Sequence, residues 1–366
     1  MHIAKALDEP ATAVLCIRCM KAPVPLTSRD LAREAGVSQS TVSRALRDDV
    51  HLPKATCLRI QALAAKLGYR ANPIVAHLTS ELRRSRGARY QATLAFVHDF
   101  PNRDWSQCGA WSFTLPGLRA RANELGYEVE EFGLRQLGVS GRRLTSVLQA
   151  RGIRGVFVAP LPKPVGHLSL DWTGFCALTL GYQMPKPRLH AIGSDHYFDM
   201  SLALRRLVRL GYKRIGLFFD HAADLYSGGQ YSARFLGYMR AQPARNQVPI
   251  LWLENWDTAV VQKSLGKWLD QYRPDAVVAM SPQSLAGLRE FGDVPGEIGF
   301  AALDMPEGFS GCSGIWSHPV ECMAASVDFV VSQLYLNRIG VPRIPFFLRL
   351  EGEWIDGGST RKRRAI

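Results

Sequence analysis

Residues 26–49 read LTSRDLAREAGVSQSTVSRALRDD, and this stretch decides the architecture of the N-terminal part of the chain. Thr27 followed by Asp30 has the form of a capping box: the hydroxyl can accept from an orphan amide, and an acid in the first turn suits the helix dipole. A helix is therefore expected from Ser28. Leu31, Ala32 and Ala35 fall on one face of it, Gly36 ends it, and Val37 turns inward. Ser38 is placed to cap a second helix, whose buried face is Val42, Ala45 and Leu46 at i, i+3, i+4 spacing. The opposite face carries Gln39, Ser40, Ser43, Arg44 and Arg47. Small hydroxyls and an amide suit phosphates and base edges, and an arginine one turn on can reach a guanine. A third helix follows, with Pro53 near its first turn, Ile60, Leu63, Ala64 and Leu67 inward, and Gly68 as its cap. The spacing predicts an all-α helix-turn-helix domain over residues 25–71. The same pattern also fits a plain three-helix bundle with a solvated basic face.

Charge separates these readings. The chain has 366 residues and a formal net charge of +13. Residues 20–89 hold 13 Lys and Arg against five Asp and Glu, a net +8, and Arg361, Lys362, Arg363 and Arg364 add +4. The body between them carries only +1. A cationic module joined to a near-neutral body is the electrostatic form of a polyanion binder, so double-stranded DNA is the expected partner. With 47% hydrophobic and 21% charged residues, the composition excludes a disordered polybasic chain.

The seven cysteines are scattered and odd in number, which favours reduced thiols and a cytoplasmic location. Cys16 and Cys19 have a ligand-like spacing but no second pair follows, so no metal is expected. Residues 1–19 lack the basic start and long apolar run of a signal peptide, and no stretch approaches membrane-spanning length. Residues 1–24 are expected to be a disordered or non-native leader, with Met20 as the natural start.

From residue 91 onward, short apolar strands alternate with amphipathic helices. Strands are expected at 93–98, 127–132, 155–159, 176–180, 214–219, 248–253, 276–280 and 298–303. Helices are expected at 115–125, 143–150, 200–210, 232–240, 258–272 and 320–339. That alternation predicts doubly wound parallel sheets, and the strand number suits two lobes over residues 91–360. Ligands of such sheets sit outside the carboxyl ends of the strands.

AGVS at 35–38, TVSRAL at 41–46, LGY at 67–69 and NP at 72–73 resemble the DNA-binding headpiece of the LacI/GalR family of transcriptional regulators. The body is similar to the family's periplasmic-binding-protein-like core through Asp195, GYKRIGLFF at 211–219, SARFLGY at 232–238, IGFAALD at 298–304 and EWIDGGST at 353–360. The resemblance implies that Gln39, Ser40 and Arg44 read bases. Ser38, Thr41 and Ser43 would hold phosphates, with Thr27, Arg29 and Asn72 at the DNA backbone. It also implies a hinge helix and linker over 72–90, in which Leu78 wedges into the minor groove beside His77. In the body it implies ligand contacts from Arg234, Trp256 and Asp304, with His98, Asp99, Phe113 and Tyr182 in support. Ser281, a further ligand candidate, and Pro282 stand where the family has Asn-Asp, and Met305 replaces a second acid.

The expected protein is a cytoplasmic homodimer without a cofactor. Two headpieces would read a pseudo-palindromic operator, as a repressor whose affinity is set by a small effector, a sugar or sugar derivative, between the lobes. The chain lacks nucleophile-elbow, P-loop, dinucleotide and zincin motifs, so catalysis is not expected. The alternative is a solute-binding protein of the same fold with no role on DNA. The tail at 361–366 is expected to be a solvated extension.

Overall fold

The computed structural model describes residues 28–46, 49, 52–67, 69, 92–99, 114–134, 141–160, 168–181, 186–253, 258–306, 308 and 311–363. The chain divides into two compact units, Met1–His77 and Leu78–Ile366.

The first unit is built from three helices, α1 (Ser28–Ala35), α2 (Gln39–Ala45) and α3 (Lys54–Lys66). Its core joins Leu31, Ala32 and Ala35 of α1 to Val42 and Ala45 of α2 and to Cys57, Ile60 and Ala64 of α3. Gly36, at φ +68°, lets the chain leave α1 while Val37 N–H bonds back to the Ala32 carbonyl at 3.1 Å. α3 then closes over both helix ends. Arg59 Nη1 donates to the Ala35 carbonyl and Gln61 Nε2 to the Ala45 carbonyl, each at 3.0 Å, satisfying carbonyls left open where those helices stop. Leu67, expected inside, is 37% exposed. It is the C-terminal cap of α3, and Cys57 one turn from the start of that helix fills the core instead.

The second unit contains two six-stranded sheets. The first comprises β1 (Ala92–His98), β2 (Tyr127–Gly133), β3 (Gly155–Val158), β4 (Cys176–Leu180), β5 (His190–Ser194) and β11 (Phe347–Leu350), in the order β11-β5-β4-β3-β1-β2. The second comprises β6 (Ile215–Asp220), β7 (Leu251–Leu253), β8 (Ala276–Ala279), β9 (Gly299–Ala302), β10 (Ser313–Trp316) and β12 (Glu353–Ile355), in the order β12-β10-β9-β8-β6-β7. Neighbouring strands are parallel except β10 and β12. The intervening helices are α4 (Thr114–Glu124), α5 (Gly141–Ala150), α6 (His196–Arg209), α7 (His221–Tyr226), α8 (Gln230–Arg240), α9 (Thr258–Tyr272), α10 (Ser284–Arg289) and α11 (Pro319–Tyr335).

The strand period of two explains why these strands are apolar throughout. On β1, Leu94 and Phe96 enter the core beneath α4 and α11, while Ala95 and Val97 enter the one beneath α5. Phe219 and Phe218 of β6 divide in the same way between two cores of the second lobe. A sheet covered on both faces needs apolar residues at successive positions, and this marks it as parallel and doubly wound.

The chain passes between lobes three times. β5 leads into α6, which packs on β10, β12 and α8; β10 leads into α11, which packs on α4, β3, β4 and β5; and β11 leads into β12. The tail departs from the solvated extension expected of it, since Arg363 N–H donates to the Leu210 carbonyl at 2.7 Å. The Arg363 guanidinium lies over the Tyr212 ring and 3.6 Å from Asp275. An apolar ring flanked by an acid gives both the stem and the charge of an arginine a place to settle.

Candidate functional site

Among the described residues, two places present side chains suited to binding a partner. The first is the outer face of α2. Ser38 caps the helix, its Oγ accepting from Thr41 N–H at 3.1 Å. The same oxygen lies 2.7 Å from Ser40 Oγ and 2.8 Å from Thr41 Oγ1. Ser38, Gln39 and Ser40 are exposed, with Thr41, Ser43 and Arg44 half-buried behind them. Burial of Val42 and Ala45 fixes the rotation of the helix, so this row of hydroxyls and one amide must face outward. Arg44 Nε donates to Asp49 Oδ2 at 3.0 Å. Both groups are half-buried but in reach of water, and a pair of that kind is worth about 0–1 kcal/mol, so it aims the guanidinium without sequestering it.

The second is a cavity of about 280 Å³ between the two sheets of the body. Leu180, Gly181, Ile192, Gly193 and Ser194 line it from the ends of β4 and β5. Ala223 and Tyr226 of α7, its C-terminal cap Ser227, Tyr231 of α8, and Met280 and Asp304 beyond β8 and β9 line it from the other lobe. His196, Ser317, Pro319, Cys322 and Met323 come from two of the lobe crossings. The cavity therefore lies where the carboxyl ends of parallel strands from two sheets converge.

Seven of its sixteen described lining residues carry polar side-chain groups, and the titratable ones among them are electrostatically constrained. Burial pushes the Asp304 carboxyl up to about 7, against the opposing effect of a hydrogen bond from Ser317. His196 Nδ1 lies 2.9 Å from the Tyr231 hydroxyl. Burial pulls its ring down to about 4, against the attraction of Asp195, so the imidazole is neutral at pH 7. The Cys322 thiol is pushed by burial up to about 12 and stays protonated. Among the described residues no group of three His, Cys, Asp or Glu side chains is arranged to hold a metal ion.

Residues 27–72 match the family model described as bacterial regulatory proteins, lacI family. The three-helix unit is thus similar to the lacI-family domain over those residues. It is 27% identical over 191 residues to the HTH-type transcriptional regulator PtxS of Pseudomonas plecoglossicida. That alignment covers 52% of each chain, so it spans about half the length of this relative. Among solved structures, the lac repressor dimer bound to operator and the anti-inducer ONPF superposes with a TM-score of 0.52 at 19% identity, covering 92% of this chain and all of that one. The transcriptional regulator CelR–cellobiose complex superposes with a TM-score of 0.54 at 17% identity, covering 91% of this chain and 99% of that one. At these identities the two likenesses establish the fold: a helix-turn-helix domain followed by a two-lobed α/β body of periplasmic-binding-protein type.

In the lacI-family domain the structure brings Ser38, Gln39, Ser40, Thr41, Ser43 and Arg44 together on one helix. Arg29 lies on α1, whereas Thr27, Asn72, His77 and Leu78 lie outside the described residues, as do Phe113, Tyr182 and Trp256 of the body. Of the remaining residues proposed from the sequence, Asp304 lines the cavity and four others do not. Arg234 Nε donates to Ser201 Oγ at 2.6 Å, and its guanidinium lies over the Tyr197 ring. Tyr231 and Phe235 take the inward positions of α8, which turns Arg234 toward α6. His98 is buried at the end of β1, 4.0 Å from Glu131, and Asp99 follows it. Ser281 opens the turn into α10, its carbonyl accepting from Ser284 N–H, while the preceding Met280 meets the cavity. The residues missed from the sequence, among them Leu180, His196, Tyr231, Cys322 and Met323, are ordinary core-type residues whose role depends on the fold bringing distant segments together.

Proposed function

We propose that the protein is a sequence-specific DNA-binding transcriptional regulator, acting as a repressor, whose operator affinity is set by a small metabolite bound between the lobes of its body. The observation that carries this reading is the outward row Ser38, Gln39, Ser40, Thr41, Ser43 and Arg44 on α2 of a lacI-family domain, joined in one chain to a two-lobed body with an inter-lobe cavity. Gln39, Ser40 and Arg44 read bases in the major groove. Ser38, Thr41 and Ser43 hold phosphates, with Thr27, Arg29 and Asn72 at the backbone, and His77 and Leu78 act in the minor groove. Residues 25–71 form the DNA-binding domain, 72–90 the hinge and linker, and 91–360 the effector-binding and dimerisation domain, and two chains engage a pseudo-palindrome.

The protein acts in the cytoplasm, and the relatives it matches are transcription regulators rather than enzymes. Among the described residues no helix is long and apolar enough to cross a membrane. A ligand shifts the regulator only through unequal affinity for its two states, and lobe closure around the cavity supplies that inequality. The family resemblance suggests a sugar for this ligand, whereas the wall of the cavity favours less polar chemistry.

Arg44→Ala tests the recognition face. It should weaken binding to a selected operator by about 1–3 kcal/mol and leave ligand binding by the body unchanged. An operator affinity equal to that of the unmodified chain would remove Arg44 from the interface.

A further inference from the structure

The inter-lobe cavity is small and mostly apolar. An apolar cavity of about 150 Å³ holds a benzene molecule, and pockets for drug-sized ligands begin near about 300 Å³. At about 280 Å³, this one has room for a single six-membered ring with a short arm. Leu180, Ile192, Ala223, Met280, Cys322 and Met323 form much of the wall, with the rings of Tyr226 and Tyr231 beside them. A hydroxyl that loses water without finding a partner costs about 1–3 kcal/mol. A ligand hydroxylated at every carbon would leave several such groups facing aliphatic carbon and sulfur.

Asp304 is the acid on the wall, and no lysine or arginine stands among the described lining residues. Arg234, the arginine expected in the cleft from the sequence, is held by Ser201 and the Tyr197 ring away from the cavity. Asp304 is bonded by Ser317, and the wall also carries the neutral His196–Tyr231 pair and the Tyr226 hydroxyl.

We propose that the cavity takes a compact, ring-sized and largely apolar molecule with one hydrogen-bond-donating head, an ammonium or a hydroxyl, seated at Asp304, and that it rejects carboxylates and phosphates. This rests on the reading of the cavity as the effector site. An ammonium gives Asp304 a counter-charge that none of the described lining residues supplies. A carboxylate would place a second negative group beside it, a pair that ionises only at considerable cost. The buried Asp304 carboxyl holds its proton up to about pH 7, so an ammonium that binds it ionised displaces that proton. Amine affinity therefore rises between pH 6 and pH 8.

The test uses the full chain without DNA, by calorimetry and thermal shift, with 2-phenylethylamine, 2-phenylethanol and phenylacetate as probes of one shape and three charges, and with glucose and gluconate beside them. The expected order is amine, then alcohol, with phenylacetate at least tenfold weaker than the amine and neither glucose nor gluconate raising Tm. Asp304→Asn should remove the preference for amine over alcohol, and the rise in amine affinity with pH gives the same information without a variant. Phenylacetate or gluconate binding as tightly as the amine, glucose binding more tightly than every aromatic probe, or no probe binding at all would overturn the proposal. Because DNA is absent, tight amine binding that later leaves operator affinity unmoved would sink the regulatory reading and leave this one standing.

Discussion

Gly36 shows how much of the DNA-binding domain rests on one backbone angle. At φ +68° it sits in the left-handed region, and nothing lies within 4 Å of where a Cβ would be. A substitution there meets no steric wall, so its cost is conformational, about 1–2 kcal/mol. Gly36→Ala should increase hydrogen exchange at the amides of α1 and α2 by roughly five- to thirtyfold, the population change that energy implies. Exchange indistinguishable from that of the unmodified chain would mean the turn is not held as described. Gly36 and the Ser38 cap were legible in the sequence because their chemistry is local: a left-handed turn favours glycine, and a cap oxygen needs an amide only three residues away. The Arg44–Asp49 contact was not, because it forms across a turn, and neither was the rotation of Arg234 toward Ser201.

Among the elements, α6 carries the least comfortable group in the body. Asp199 is fully buried; its Oδ1 accepts from Gly352 N–H at 2.9 Å, and its Oδ2 has no hydrogen-bond partner. Gly352 lies between β11 and β12, and a Cβ there would come within 2.7 Å of Asp199 Oδ1 and 2.6 Å of Ile315 Cγ2. The carboxyl is thus pressed against one of the three lobe crossings. Burial pushes it up to about 7; the Gly352 bond opposes this, and the charges of Asp195, Asp304 and Glu351 add to it. The native state then keeps a proton that the unfolded chain loses near pH 4, so stability falls as pH rises from about 4 to about 7. Asp304 acts with the same sign, while His196, pulled down to about 4, opposes both below about pH 6.5. Thermal unfolding of the body should therefore show a falling Tm between pH 6.5 and 7.5, with a shallower fall in Asp199→Asn. A Tm that climbs through this range would contradict the burial assigned to these acids. The sequence announces the strands of this body where apolar runs are long, as in β1, β4 and β8. It is silent on β5, β10, β11 and β12, short strands rich in Gly, Ser or charged residues whose pairing depends on crossings far apart in the chain. The expected strand over 248–253 shortens to Leu251–Leu253 because the Pro249 carbonyl accepts from Trp268 Nε1 instead of joining a sheet.

At the scale of the molecule, the basic excess and the cavity divide the labour. The net +8 of residues 20–89 belongs to the segment that contains the lacI-family domain, and the near-neutral body encloses a cavity with an acid on its wall. The acid was legible through the resemblance of IGFAALD at 298–304 to the family's strand-end motif. The apolar remainder of the wall was not, since Leu180, Met280 and Cys322 become neighbours only when two lobes and a crossing helix are in place. The most direct test of the central claim is selection of randomised DNA duplexes on the purified full chain, followed by titration of the enriched sequence over a range of salt. An inverted repeat should be enriched, with affinity falling steeply as salt rises and Arg44→Ala losing the preference for the repeat over unselected DNA. Enrichment of no sequence, or equal affinity for selected and unselected duplexes at every salt concentration, would contradict it.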